Sequence, residues 1–209
     1  MKYYLLLLLI TSSLNILAQT GAPGADKRKL GLKTGVNFST VHLKNDGGPK
    51  LSSRQGIMVA GFYSPATRGI MGFRSEVVYS RQGFTSADGD VKTIVSNDYL
   101  LLPQFTTINI SRFFQLQLGG QVGYLINAKG KQESSSFDLK QLTNRIDYGA
   151  AGGVEIYPFK GLIIGGRYNM SFGDVYKSTS TPGSGDPVSG MFDIKSRNGV
   201  ISIFLGYQF

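Results

Sequence analysis

Six ionisable residues stand out by their setting. Lys33, Arg74, Glu76, Asp147, Glu155 and Arg167 each lie in a stretch that alternates apolar and polar residues, and each falls on the polar side. A period of two is a β-strand with two unlike faces, so the six share one side of their strands. Three bases and three acids on one face could serve as an ion path or as a carboxylate pair for acid–base chemistry. They could also neutralise one another as ion pairs, since an unpaired charge is costly in a low-dielectric interior. A small barrel leaves room for little more than side chains, which favours mutual pairing.

Other chemistry is thin. His42 is the only histidine, with Asp46, Ser52 and Ser53 nearby in sequence, and nothing in their spacing selects a catalytic set. Asp88-Gly89-Asp90 offers carboxylates to a hard cation but lacks the further ligands of a Ca²⁺ loop. The absence of cysteine excludes disulfides, thiolate metal sites and a lipid-anchored lipoprotein. No phosphate loop, dinucleotide glycine motif or nucleophile elbow occurs. The expectation is a chain with no catalytic residues, no cofactor and no metal.

The elements that must position these residues are strands. Eight are expected, at about residues 30–41, 56–63, 70–82, 98–108, 114–126, 145–157, 162–172 and 197–209. The last is the clearest: Phe209, Tyr207, Leu205, Ile203 and Ile201 share one face, with Gln208, Gly206, Phe204 and Ser202 opposite. The second has no clear facing, and Pro103 is awkward inside the fourth because proline lacks a ladder donor. Long connections (43–55, 83–97, 127–144 and 173–196) alternate with short ones (64–69, 109–113 and 158–161). That alternation, with an even strand count, is the pattern of an up-and-down outer-membrane barrel.

The N-terminus agrees with export. Residues 1–18 read as a signal peptide: Lys2, an apolar run over 3–10, and Ala18 before the cleavage point. Residues 19–29 read as a flexible periplasmic leader and 30–209 as the barrel. The 28 Gly, 13 Phe and 11 Tyr, with only 17% charged residues, suit short strands and tight turns. The net charge of +9 is too diffuse for nucleic acid and suits a surface near anionic lipid.

A soluble, lipocalin-like barrel binding an apolar ligand is the structural rival, with the faces reversed. Two aromatic groups on the apolar face favour the membrane. Phe38, Tyr79, Tyr99, Tyr124, Tyr148 and Phe172 lie toward the long loops, and Tyr63, Phe73, Tyr207 and Phe209 toward the short turns. Two such belts mark a membrane interface. The reading is therefore an all-β, eight-stranded antiparallel transmembrane barrel.

Four stretches carry a family resemblance: FRSEVVYSRQG from Phe73, YLLLPQF from Tyr99, IDYGAAGGVEI from Ile146 and GGRYNMSFGD from Gly165, before the closing LGYQF. With these the chain resembles the outer-membrane β-barrel domain of the PorT-like group, common in Bacteroidota. The family pattern places Glu76, Pro103, Asp147-Tyr148-Gly149 and Arg167-Tyr168 at matching positions. The resemblance implies fold and compartment, not activity. The expected role is structural or loop-mediated interaction by a monomer with a side-chain-filled lumen, with porin-like transport of small solutes as the alternative. Expected partners are outer-membrane lipid, lipopolysaccharide at the loop cations, and the barrel assembly machinery, which would read Tyr207 and Phe209 as a C-terminal signal.

Overall fold

The computed structural model describes residues 28–43, 50–88, 91–132, 135–140, 143–173 and 196–209. The signal peptide, most of the leader, the His42 side chain, Asp46, Gly89-Asp90 and the long 174–195 connection lie outside what is described. Nine antiparallel strands follow in order: β1 (Lys29–Leu43), β2 (Lys50–Ser64), β3 (Met71–Asp88), β4 (Val91–Ser111), β5 (Phe114–Gln132), β6 (Ser135–Asp138), β7 (Ile146–Ile156), β8 (Leu162–Ser171) and β9 (Ser196–Gln208). Each long strand pairs with its neighbours, and β9 pairs back onto β1 from Gly31↔Gln208 to Leu43↔Ser196, closing an eight-stranded barrel. The short β6 stands outside the ring, pairing with the far end of β5. No helix among the described residues is long and apolar enough to cross a membrane, which says nothing of a barrel.

Facing is inside-out relative to a soluble barrel. Leu32, Val36, Leu118, Val122, Ile203 and Leu205 are exposed, while Lys33, Asn37, Arg74, Glu76, Gln117 and Ser202 are buried. That order suits lipid outside and argues against the lipocalin-like alternative. The undecided β2 is settled: Met58, Ala60 and Phe62 face inward, Ile57 and Val59 outward. Its ambiguity had a cause, because both of its faces are apolar.

Several expectations are corrected: residues 50–55 and 127–132, read as parts of long connections, are strand in β2 and β5, and 135–138 form β6. The 83–97 stretch, read as a long loop, is almost all strand, since β3 and β4 stay paired from Arg81↔Asp98 out to Asp88↔Val91. Tyr99, read as part of the outer belt, points inward and is only 2% exposed. It shares the parity of Leu101, Phe105 and Thr107, all inside. Pro103 also faces in, and the β3–β4 ladder carries no pairing for it between Ser75↔Gln104 and Val78↔Leu101. The missing donor is thus placed where the ladder is already open.

The barrel is narrow enough for backbone to approach backbone across the sheet's inner curve. A side chain at Gly35 would overlap the Ile203 carbonyl oxygen and lie 2.7 Å from Phe204 Cα, whereas one at the outward Gly61 would meet only Leu32 Cδ2 at 3.8 Å. Gly35→Ala is therefore expected to destabilise the folded barrel by about 1–3 kcal/mol through backbone displacement, and Gly61→Ala to change it by less than about 0.5 kcal/mol. Urea unfolding of the two variants in the same lipid checks both.

Candidate functional site

The lumen is filled in layers, and the central one is ionic. Lys33 on β1 reaches Glu76 Oε1 on β3 and Glu155 Oε1 on β7, each at 2.5 Å. Arg74 Nη1 on β3 donates to Glu155 Oε2 at 2.5 Å. Arg167 on β8 grips Glu76 with two hydrogen bonds, 2.9 Å to Oε2 and 3.0 Å to Oε1. These five side chains are essentially out of solvent. The two-pronged guanidinium contact fixes geometry as well as charge.

Neutral groups complete the layer. Arg167 Nη2 also donates to Gln117 Oε1 on β5 at 3.0 Å, and Arg74 Nε to Ser64 Oγ at 2.9 Å. The Tyr157 hydroxyl lies 2.6 Å from Glu155 Oε2 and accepts from Arg74 Nη2 at 3.1 Å. Three buried aromatic rings sit against the cations. Lys33 Nζ is 4.8 Å from the Phe62 ring centre and 5.0 Å from that of Phe204. The guanidinium carbon of Arg74 is 4.3 Å from the Phe62 ring centre, and that of Arg167 is 4.3 Å from the Phe105 ring centre. Every one of the eight barrel strands thus contributes a side chain to this layer. Rings favour cations over their faces, more so when water is excluded.

Above it, toward the long loops, lies an uncharged polar layer. Asn37 Nδ2 donates to Ser80 Oγ at 2.8 Å, Gln82 Nε2 donates to the same oxygen at 2.9 Å, and Ser202 Oγ donates to Asn37 Oδ1 at 2.8 Å. Asn198 and Gln82 are also bonded. Higher still, Phe84, Val95, Tyr99, Leu125, Ala128 and Leu139 belong to the buried apolar core. The Leu139 amide bonds the Ala128 carbonyl at 3.0 Å, which folds the segment after β6 inward at the long-loop end.

Five of the six expected lumen charges therefore meet. Asp147 does not. It accepts a hydrogen bond from Ser171 Oγ at 2.6 Å near the long-loop end. Glu155 is eight residues further along the same strand, roughly 26 Å at 3.3 Å per residue. Three basic side chains against two carboxylates leave the ionic layer with an excess of one base, not the expected equal numbers. Tyr157, Gln117, Phe62, Phe105 and Phe204 escaped the sequence reading. Parity alone placed Phe204 with Ser202 and Gly206, so its inward facing was available.

Of the expected belts, Tyr124, Tyr148 and Phe172 are exposed at the upper end, and Phe38 and Tyr79 are half-buried there. Tyr148 and Phe172 pack edge-on at 6.5 Å. At the lower end Tyr207 and Phe209 are exposed and pack edge-on at 5.5 Å, with Tyr63 and Phe73 half-buried. Phe113 and Phe159, exposed in two short turns, add to this end. Among the described residues no group of three or more His, Cys, Asp or Glu could hold a metal ion.

Comparison with known proteins places this geometry. Residues 17–177 match the family model described as an outer membrane protein beta-barrel domain. Ail, the attachment invasion locus protein of Yersinia pestis, superposes with a TM-score of 0.53 at 16% identity, over 88% of this chain and 100% of that one. Neisserial surface protein A gives 0.51 at 15% identity, over 89% and 99%. At such identities the likeness is one of fold. No curated protein matches the chain.

Removing one member of the buried network strands its partners. Glu155→Ala, which leaves Arg74 without its carboxylate and Lys33 with one, is expected to cost about 3–5 kcal/mol of stability. Urea unfolding in lipid measures it, and a loss below about 1 kcal/mol would mean the layer is no more than a surface-like set of pairs.

Proposed function

The chain belongs to the outer membrane protein β-barrel domain family, and from that premise we propose that it is a closed, non-conducting barrel acting at the cell surface. The observation that carries this is the filled lumen: an ionic layer, an amide layer and an apolar layer stacked along one axis. A pore would need a continuous wet path through all three, and eight strands leave an interior that side chains can fill.

Surface action is supported by strand length. Crossing the bilayer takes about 9–11 tilted residues. β7 and β8 have 11 and 10, but β3, β4 and β5 have 18, 21 and 19. The excess of roughly eight to eleven residues, at about 3.3 Å each along strands tilted by about 35–45°, raises one wall roughly 20–30 Å beyond the membrane at the long-loop end. With β6 at its edge, this wall is a folded platform rather than a set of loose loops. Arg81, paired with Asp98 at 2.7 Å, and the exposed Lys129 and Lys131 put cations on or near it, where lipopolysaccharide phosphates would be met. We also place the chain within the PorT-like group, on its four motif stretches, as a monomer without enzymatic activity or cofactor. Tyr207 and Phe209, exposed at the end of β9, suit a signal for the barrel assembly machinery.

Two measurements test the reading. In SDS gels of outer-membrane fractions, the unboiled protein is expected to run faster than the boiled protein. Reconstituted in planar bilayers, it is expected to give no single-channel steps. Discrete, reproducible conductance from the purified barrel would overturn the closed-lumen reading and restore porin-like transport.

A further inference from the structure

The end of the barrel opposite the platform is built differently. Below the ionic layer a cavity of about 460 Å³ opens at the short-turn mouth, lined by Gln115, Tyr157, Phe113, Phe159, Arg112 and Lys160 among others. Its size is within the range of small-molecule sites. In outer-membrane barrels this mouth faces the periplasm.

Among the described residues, the charged side chains that line this cavity are the cations Lys29, Arg112 and Lys160. Each of the three short turns carries a single cation and no carboxylate: Arg68 in 65–70, Arg112 in 109–113 and Lys160 in 158–161. No Asp or Glu is among the described residues that line the cavity. Its inner wall adds to the field. Tyr157 lies against Arg74, and Arg74 lines the narrow recess beside the cavity together with Asn109 and Gln115. The ionic layer just behind has three basic side chains for two carboxylates, an excess of one base. Glu76 and Glu155, the carboxylates in that layer, are already committed to Lys33, Arg74 and Arg167.

The donors suit a phosphate with an organic substituent. Arg112 lies over the Phe113 ring, with its guanidinium carbon 4.5 Å from the ring centre. A stacked guanidinium presents its edge in a fixed plane, the arrangement that binds phosphate oxygens in pairs. Lys160 supplies a second cation from the neighbouring turn, which adjoins the first through the β5–β7 pairing and the Tyr157 amide on the Phe113 carbonyl. Phe159, Pro158 and Phe113 offer an apolar wall to the rest of the molecule.

We propose that the short-turn mouth is a binding site for a phosphate ester, held by Arg112 and Lys160 over a floor of Tyr157 and Gln115. Such a group could come from a phospholipid headgroup of the inner leaflet or from a soluble periplasmic ester. The site stands apart from the surface platform and does not depend on it.

The test uses the full folded barrel in a neutral glucoside detergent, titrated with glycerol 3-phosphate at constant ionic strength. Backbone amide shifts are followed by NMR. Saturable shifts confined to residues 109–115 and 157–161 are expected. The double variant Arg112→Gln with Lys160→Gln is expected to bind at least about tenfold more weakly. Both residues are exposed turn positions, and unchanged gel mobility of the unboiled variant would show that it folds. Shifts that do not saturate, an equal response to acetate, or unaltered affinity in the double variant would each overturn the proposal. Where the site survives, competition by short-chain phosphatidylglycerol assigns it to headgroups, and lack of competition assigns it to soluble esters.

Discussion

The structure hangs on a buried network of five charges. Lys33 bridges two carboxylates that lie on opposite flanks of the ring, Glu76 on β3 and Glu155 on β7, and each carboxylate is held again by an arginine. Most of the barrel's apolar surface faces outward, so much of its interior is polar even though an apolar cluster is buried in it. That polar interior must be satisfied group by group, since a buried polar atom without a partner costs more than a bond gains. A network drawing side chains from all eight strands couples closure of the ring to the pairing of the lumen's charges.

The remaining architecture follows from that requirement. Aromatic rings from β2, β4 and β9 fill the spaces between charged residues from β1, β3, β7 and β8, and they do so without offering acceptors that would need partners of their own. Glycine where strand backbones crowd, as at Gly35, lets the wall curve tightly enough for side chains to meet across it. Toward the long-loop end the polar layers give way to buried apolar residues that include Leu139. Charge sorts along the same axis. The upper wall mixes Arg81 and Asp98, whereas the described residues lining the short-turn mouth include cations and no Asp or Glu. The two ends are thus chemically distinct even though one continuous sheet builds both.

Alternation along single strands made much of this legible. A period of two is a local property, so the facing of Lys33, Arg74, Glu76, Glu155 and Arg167 could be read from neighbours in the chain. So could the outward facing of the apolar residues and the choice of membrane over soluble barrel. The alternation failed where it was locally weak. β2 is apolar on both faces, and Tyr99 belongs to a strand whose run of leucines hides its parity. The extended β3–β4 hairpin was missed because its outer residues, such as Thr85, Thr93 and Ser96, are polar and look like loop, although their pairing across two strands keeps them regular.

Local residue pattern is therefore enough for the fold class, the strand order and the lumen side of most strands, with β2 and the Tyr99 stretch of β4 as the exceptions. Each follows from residue types within about ten positions of one another. Height along the barrel axis is settled by tertiary pairing alone. Asp147 and Glu155 share a face yet sit in different layers, while Lys33 and Glu155, 122 residues apart, touch. Register between strands sets those heights, and register depends on how the ladders align around a closed ring. No single strand carries that information, because the inward faces alternate in the same way at every height.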